Sequence, residues 1–390
     1  MTINPLCSAP FNSIMVDSNK KIKPCCNWDD TFIGDLNVST TEEIFNSNRV
    51  IDIRDKLLKQ EWPKGCMRCK QREEEVGTSV RTNVYNTVKA DLSNKIKYLE
   101  YNSTNTCNLA CAMCSPSWSS SWVQFRQKHD WWMDYDAENI WPEWKHHPIN
   151  MVVANQFIEK TNLSELETLW FKGGEPFLNK ENVLLLEHLK DIGRLVQVEI
   201  TLTTNGTVIN EKMLALLEQA KSVRFIVSCD GVGEINNYIR FSVADYNESN
   251  NSNIKDNVIK MSQLGNLEGI GPTIAIQAYN IFNLHDFFKW WQTDIKTLDP
   301  NKIWNAGMDH MVLHPEYLSA RVLTDDTRLQ MADFYNNIDS NLYKSLINYL
   351  RLPWLGKERH EEFKRFTREL DLTRPKKLID IEPEFINELK

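Results

Sequence analysis

The sequence predicts an α/β fold: a partial (β/α)6 barrel of TIM-like type, with a small thiol-rich module before it and a helical C-terminal extension after it. Three observations predict this. Apolar, strand-like segments alternate with helix-periodic ones through the middle of the chain. Unusual polar and glycine-rich loops follow those strands, on the edge where parallel α/β folds bind ligands. Eight of the nine cysteines fall into two groups, one before residue 70 and one between Cys107 and Cys114. The expected division is residues 1–90 for the thiol module, 91–320 for the barrel with a tryptophan-rich insertion at 117–150, and 321–390 for the extension.

Composition narrows the class. A chain of 390 residues exceeds one ordinary hydrophobic core, and 42% hydrophobic with 25% charged residues is the balance of a globular protein. No apolar run approaches the ~18 residues that span a bilayer, so no membrane partner is expected. The N-terminus lacks the basic and apolar regions of a secretory signal, which makes the cytoplasm the default location. Nine cysteines, an odd number in close pairs, suit thiolate ligands in a reducing compartment better than a disulfide framework. A net charge of -8 argues against nucleic acid as a partner.

In chain order, residues 11–16 and 21–24 read as a hairpin across the turn residues 17–20, and this hairpin delivers Cys25 and Cys26 at its end. Residues 41–59 have helical spacing. Cys66 and Cys69 form a CxxC, common to zinc sites and iron–sulfur sites alike, and the spacing leaves both readings open. Residues 97–102 read as a strand, followed by Cys107, Cys111 and Cys114. That spacing is also one face of a helix. The flanking residues 103–106 and 115–117 read as loop, however, which favours a metal cluster. Three thiols hold three corners of a four-iron cube and leave one iron open.

Further strands are expected at 167–172, 197–204, 222–228 and 272–278, with a weaker sixth at 310–314. Gly173-Gly174-Glu175-Pro176, Asn205-Gly206 and Ser228-Cys229-Asp230-Gly231 follow the first three of these. Cys229 reads as a buried structural thiol, with a hydrogen-atom donor as the sharper alternative. Six of the thirteen tryptophans fall between Trp118 and Trp144, with His129, His146 and His147 nearby. This segment suits either an aromatic miniature core or a lid. From about 324 to 369 the pattern is helical, broken at Leu352-Pro353.

The Cys107, Cys111, Cys114 spacing resembles the CxxxCxxC signature of radical S-adenosylmethionine (SAM) enzymes, in which the open iron is chelated by the amino and carboxylate groups of SAM. The later loops resemble that family's in the same order. The resemblance implies that Gly173, Gly174 and Glu175 receive the SAM amino group and that Asn205 lies near the ribose. It gives Ser228 and Arg240 contacts to ribose or carboxylate, and it sets Met113 beside adenine. Phe241 stands where relatives often carry glycine, so a surface ion pair stays open as the role of Arg240.

The thiol module resembles the SPASM/twitch auxiliary-cluster domain, placed ahead of the catalytic domain instead of behind it. This implies Cys7, Cys25, Cys66 and Cys69 as ligands of a second, auxiliary [4Fe–4S] cluster, with Cys26 as the spare, although the sequence does not separate Cys25 from Cys26. The implied activity is reductive cleavage of SAM to a 5′-deoxyadenosyl radical and abstraction of hydrogen from a substrate C–H bond, for a net oxidation or dehydrogenation assisted by the auxiliary cluster. The implied partners are a low-potential electron donor such as flavodoxin or ferredoxin and a small-molecule or peptide substrate. The thiol module occupies the first ninety residues and no separate leader-binding domain is evident, which favours a small molecule over maturation of a ribosomal peptide. A different class competes: a non-enzymatic zinc-binding interaction protein.

Overall fold

A computed structural model describes residues 3–85, 94–116, 118–122, 152–308 and 310–390. Ten strands are described: β1 Ser13–Val16, β2 Lys21–Lys23, β3 Gly34–Asp35, β4 Tyr98–Tyr101, β5 Leu109–Cys111, β6 Thr168–Phe171, β7 Glu199–Thr204, β8 Ser222–Ser228, β9 Arg240–Ser242 and β10 Leu267–Thr273. Eight form one mostly parallel sheet in the order β10-β8-β7-β6-β4-β1-β2-β3, and β5 pairs with β9 in a separate ladder. The fold is mixed α/β with a helical C-terminal region, as the sequence predicts. By internal contacts the chain divides into two compact units.

The first unit comprises Met1–Thr106, His147–Leu202 and Asn210–Val223. Its N-terminal hairpin turns where Asp17 Oδ1 accepts from the backbone N–H of Asn19 at 2.9 Å and of Lys21 at 2.8 Å. β1 runs antiparallel to β2 and parallel to β4, with Ser13 opposite Tyr98 and Val16 opposite Tyr101. All four β1 residues are buried, which a strand paired on both edges requires. The hairpin thus extends the sheet that β4 belongs to. The helical stretch expected at 41–59 is two helices, α1 Thr41–Phe45 and α2 Asn48–Leu58. Thr40 and Glu43 form a capping box for the first, and the Ser47 side chain caps the second, so polar caps divide one apolar periodicity. α3, Met67–Val76, begins at the CxxC.

Burial alternates along β6 and β7. Leu169, Phe171, Ile200 and Leu202 are buried. So are Val183, Leu185, Leu186 and Leu189 of α4, Lys180–Asp191, each worth about 1.5–3 kcal/mol when fully buried. The alternate face carries Thr168, Trp170, Glu199 and Thr201, all half-buried and mostly polar.

The second unit comprises Cys107–His146, Thr203–Ile209 and Arg224–Lys390. β10 starts five residues before the predicted 272–278. Gly269 and Gly271 lie under the Trp304 indole, and a Cβ on Gly269 would come within 2.2 Å of Trp304 Cζ2. The two glycines make room for the ring. The sixth segment, 310–314, is reduced to a single parallel bridge between Ile276 and Met311. The C-terminal region contains Asp325–Asp339, Lys344–Leu350 and, from the predicted break onward, Lys357–Asp371. Among the described residues, no helix is long and apolar enough to cross a membrane.

Candidate active site

In the first unit, Cys7, Cys25, Cys66 and Cys69 line one cavity together with Pro24, Trp28, Gly65, Arg81 and Tyr85. Cys66 is the N-cap of α3 and Cys69 lies in its first turn, so both thiols sit at the positive end of a helix. Gly65 allows this approach, because a Cβ there would fall 2.4 Å from the Trp28 ring. Arg81 is ion-paired with Glu73 of α3 and donates to Leu6 O at 2.7 Å, tying the chain beside Cys7 to the helix. Burial pushes the Cys7 and Cys66 thiols up to about 12, partly offset by the Arg81 charge, and raises Cys25 well above the ordinary range. Thiols held this high bind as thiolates only when a positively charged metal group compensates the burial.

Cys26 is not among the residues lining that cavity. Its thiol lies by Glu100 and Tyr85, and burial followed by the Glu100 charge pushes it up to about 12. Glu100 is 0% exposed, accepts from the Tyr85 hydroxyl, and meets Lys172 Nζ at 3.0 Å. Lys172 in turn lies 3.3 Å from the centre of the Trp170 ring. Sequence reasoning missed this network, because nothing in the spacing of residues 26, 85, 100 and 172 brings them together.

The Gly173-Gly174-Glu175 turn also belongs to the first unit. Gly173 and Gly174 have φ +75° and +52°, and a Cβ on Gly174 would come within 2.2 Å of Thr106 O. Glu175 N–H donates to that carbonyl at 2.8 Å. The glycines therefore let this turn close on the residue immediately before Cys107. Next to it, the side-chain oxygen of Asn102 is buried with no hydrogen-bond partner, which leaves an acceptor for a ligand.

In the second unit, the segment expected as loop is the short strand β5 followed by a turn. Leu109, Ala110 and Cys111 pair antiparallel with Ser242, Phe241 and Arg240, so the three thiols do not form a helix face. Cys114 N–H closes the turn on Cys111 O at 2.9 Å. Residues 119–122 support the loop: Ser119 Oγ donates to Leu109 O at 2.5 Å, Ser121 Oγ to Cys107 O at 2.8 Å, and Trp122 Nε1 to Cys111 O at 2.9 Å. Trp131, Trp132, Trp141, Trp144, His129, His146 and His147 lie outside the described residues. Burial raises the Cys111 thiol and pushes Cys114 up to about 12. Ser115 Oγ, beside Cys114, is buried without a hydrogen-bond partner.

Asn205 Nδ2 donates to Asn108 Oδ1 at 2.9 Å, within the three-thiol loop, and its Oδ1 accepts from Thr207 N–H at 2.9 Å. Arg240 is buried opposite Cys111 and is not a surface group. Its Nη1 lies 3.9 Å from Cys111 Sγ and its Nε 2.8 Å from Asp230 Oδ2. Ser228 and Met113 are half-buried. Cys229 is 0% exposed, with Sγ 3.4 Å from Gly231 O and 3.7 Å from Asn251 Nδ2. Among the described residues, no three His, Cys, Asp or Glu side chains are drawn in tightly enough to hold a single metal ion.

Residues 101–265 match the sequence profile of the radical SAM superfamily, and residues 7–70 match that of an iron–sulfur cluster-binding domain, SPASM. Residues 101–265 thus carry a radical SAM domain. The chain carries a SPASM domain ahead of the catalytic one, and the cofactors of these domains are a SAM-binding [4Fe–4S] cluster, an auxiliary [4Fe–4S] cluster and SAM.

The chain is also similar to solved structures. It is 15% identical to native anSMEcpe with bound AdoMet and a Kp18Cys peptide, over 65% of this chain and 62% of that one, with a TM-score of 0.35. It is 13% identical to Streptococcus suis SuiB bound to S-adenosylmethionine, over 67% of this chain and 53% of that one, with a TM-score of 0.35. The chain thus spans less than two thirds of either protein's length. No curated protein matches it.

Proposed function

We propose that this radical SAM enzyme abstracts hydrogen from a C–H bond of a small-molecule or peptide substrate and brings about a net oxidation or dehydrogenation assisted by its auxiliary site. The observation that carries this reading is the pair of unlike thiol sets: three cysteines on one short loop, and four around one cavity. A cube held by three thiols keeps a corner for SAM. One held by four has no corner for substrate and suits electron exchange alone.

The chemistry supplied by the bound cluster and SAM is one-electron reductive cleavage, which yields an oxidant strong enough for an unactivated C–H bond. The chain's own residues hold and orient. Cys107, Cys111 and Cys114 take the SAM-binding cluster, and Cys7, Cys25, Cys66 and Cys69 take the auxiliary one. By their motif positions, Gly173, Gly174 and Glu175 receive the SAM amino group, Asn205 and Ser228 the ribose, and Met113 the adenine. Arg240 is committed to Asp230, so its action on the SAM carboxylate is shared with that acid. The half-buried face of Thr168, Trp170, Glu199 and Thr201 suits a polar substrate. A low-potential flavodoxin or ferredoxin in a reducing compartment such as the cytoplasm fits nine free cysteines.

The test is anaerobic reconstitution of the full chain, addition of dithionite and SAM, and assay of 5′-deoxyadenosine. The wild type forms it, Cys111→Ala loses it by at least about a hundredfold, and Cys66→Ala retains some cleavage. SAM left intact by the reconstituted wild type would overturn the reading.

A further inference from the structure

One of the four cysteines that line the cavity of the first unit receives a hydrogen bond from a neutral side chain. Asn27 follows the Cys25–Cys26 pair and lines the same cavity. Its Nδ2 donates to Cys69 Sγ at 3.2 Å, across 42 residues of sequence. The backbone around it is tied down. Trp28 N–H donates to Cys25 O at 3.3 Å, Trp28 Nε1 to Thr31 O at 3.0 Å, and Asp29 N–H to Gly65 O at 2.9 Å. The Trp28 ring is 4% exposed and packs where Gly65 has no side chain. Residues 27–29 are thereby held along the segment that enters α3 at Cys66. All of these residues belong to the first unit.

A cube ligated by four thiolates is an anion, and reduction adds one more negative charge. Cys7 and Cys69 are only 6% and 7% exposed, so little water reaches them to stabilise that charge. Fixed dipoles have to supply the stabilisation instead. α3 turns its positive end toward Cys66 and Cys69, and the Asn27 amide points an N–H at the Cys69 sulfur. The ions nearby are less suited to the task. Arg81 is ion-paired with Glu73, whose charge opposes it at Cys7, and the Glu100 charge acts against a thiolate at Cys25. An uncharged donor aimed at one sulfur favours the reduced state without bringing a counter-ion that cancels it.

We propose that Asn27 is a positioning residue for the auxiliary cluster held by Cys7, Cys25, Cys66 and Cys69: its amide hydrogen bond fixes Cys69 and raises the reduction potential of that cluster, suiting it to take up an electron. The step concerned is the transfer of one electron from the substrate radical to the oxidised cluster. The radical loses one electron, the cluster gains one, and no bond is made or broken in that transfer. Removing the donor lowers the reduction potential. This inference rests on the reading that those four thiols hold an iron–sulfur cluster.

The test is a redox titration followed by electron paramagnetic resonance. The parent is the full chain carrying Cys107→Ala, Cys111→Ala and Cys114→Ala, reconstituted anaerobically so that the four-thiol site alone holds iron. Adding Asn27→Leu, which keeps the volume and removes the donor, is expected to lower the equilibrium constant for reduction about tenfold, which is about 59 mV for a one-electron couple. Asn27→Gln, which keeps an amide donor, moves it less than half as far. Asn46→Leu, which removes an exposed amide bonded to Glu42 O on the same module, leaves it unchanged. If the Leu variant takes up no iron, Asn27→Asp, which keeps the shape and replaces the donor by an acceptor, is titrated in its place and falls at least as far. A potential equal to the parent in the variant without the donor, or the same fall in Asn46→Leu, overturns the proposal. Should the parent take up no iron, the same substitutions are titrated in the wild-type chain on the signal that SAM leaves unperturbed. A wild-type chain with no such signal instead overturns the reading beneath the proposal.

Discussion

Cys25 and Cys26 are neighbours in the chain, yet their side chains enter different surroundings. Cys25 faces the cavity lined by Cys7, Cys66 and Cys69, whereas Cys26 lies beside the Glu100 carboxylate that also binds Tyr85 and Lys172. Cys25→Ala is accordingly expected to lose about four irons per chain on reconstitution, and Cys26→Ala to keep them, as read by iron and sulfide analysis. The reverse pattern would exchange their roles. Spacing alone proposes the three-thiol loop as a ligand set, because its residues are local. It was silent on the choice between Cys25 and Cys26, because that depends on Glu100 and Tyr85, 74 and 59 residues further on. It was equally silent on Asn27, whose partner Cys69 is 42 residues away in sequence.

At the level of elements, continuous or alternating apolar runs make β6, β7 and β8 legible, and Leu169, Phe171, Ile200, Leu202, Val223, Phe225 and Val227 along them are buried. β10 starts earlier than its apolar run predicts, across two glycines that the Trp304 ring covers. β5 escapes a sequence reading because three residues are too few to show a periodicity. Its strand character comes from β9, more than a hundred residues later. The hairpin's place beside β4 is likewise a long-range pairing.

Near the C-terminus, burial, reinforced by the charges of Glu384 and Asp286, lifts the Glu382 carboxyl from the usual 4.5 to about 7. A carboxyl raised on folding leaves stability intact below its unfolded pKa and removes it as pH climbs through the folded one. Glu382→Gln is therefore expected to be more stable than wild type by roughly 1–2 kcal/mol at pH 8, allowing for partial solvent screening. The gain shrinks as pH falls from 7 toward 5. Denaturant unfolding at both ends of that window checks it, and a gain independent of pH would contradict the assignment.

Across the whole molecule, each thiol set is complete within one of the two compact units: Cys7, Cys25, Cys66 and Cys69 in the first, and Cys107, Cys111 and Cys114 in the second. Cys229 stands apart, held by Gly231 and Asn251. Seven thiols in sets of four and three, with Cys26 and Cys229 engaged elsewhere, account for all nine cysteines. Metal stoichiometry tests this division of the thiols. Wild-type chain reconstituted anaerobically with iron and sulfide is predicted to hold about eight irons and eight sulfides, with both centres giving the Mössbauer signature of a [4Fe–4S] cube. About four irons, or zinc retained in place of iron at the four-thiol site, would contradict it.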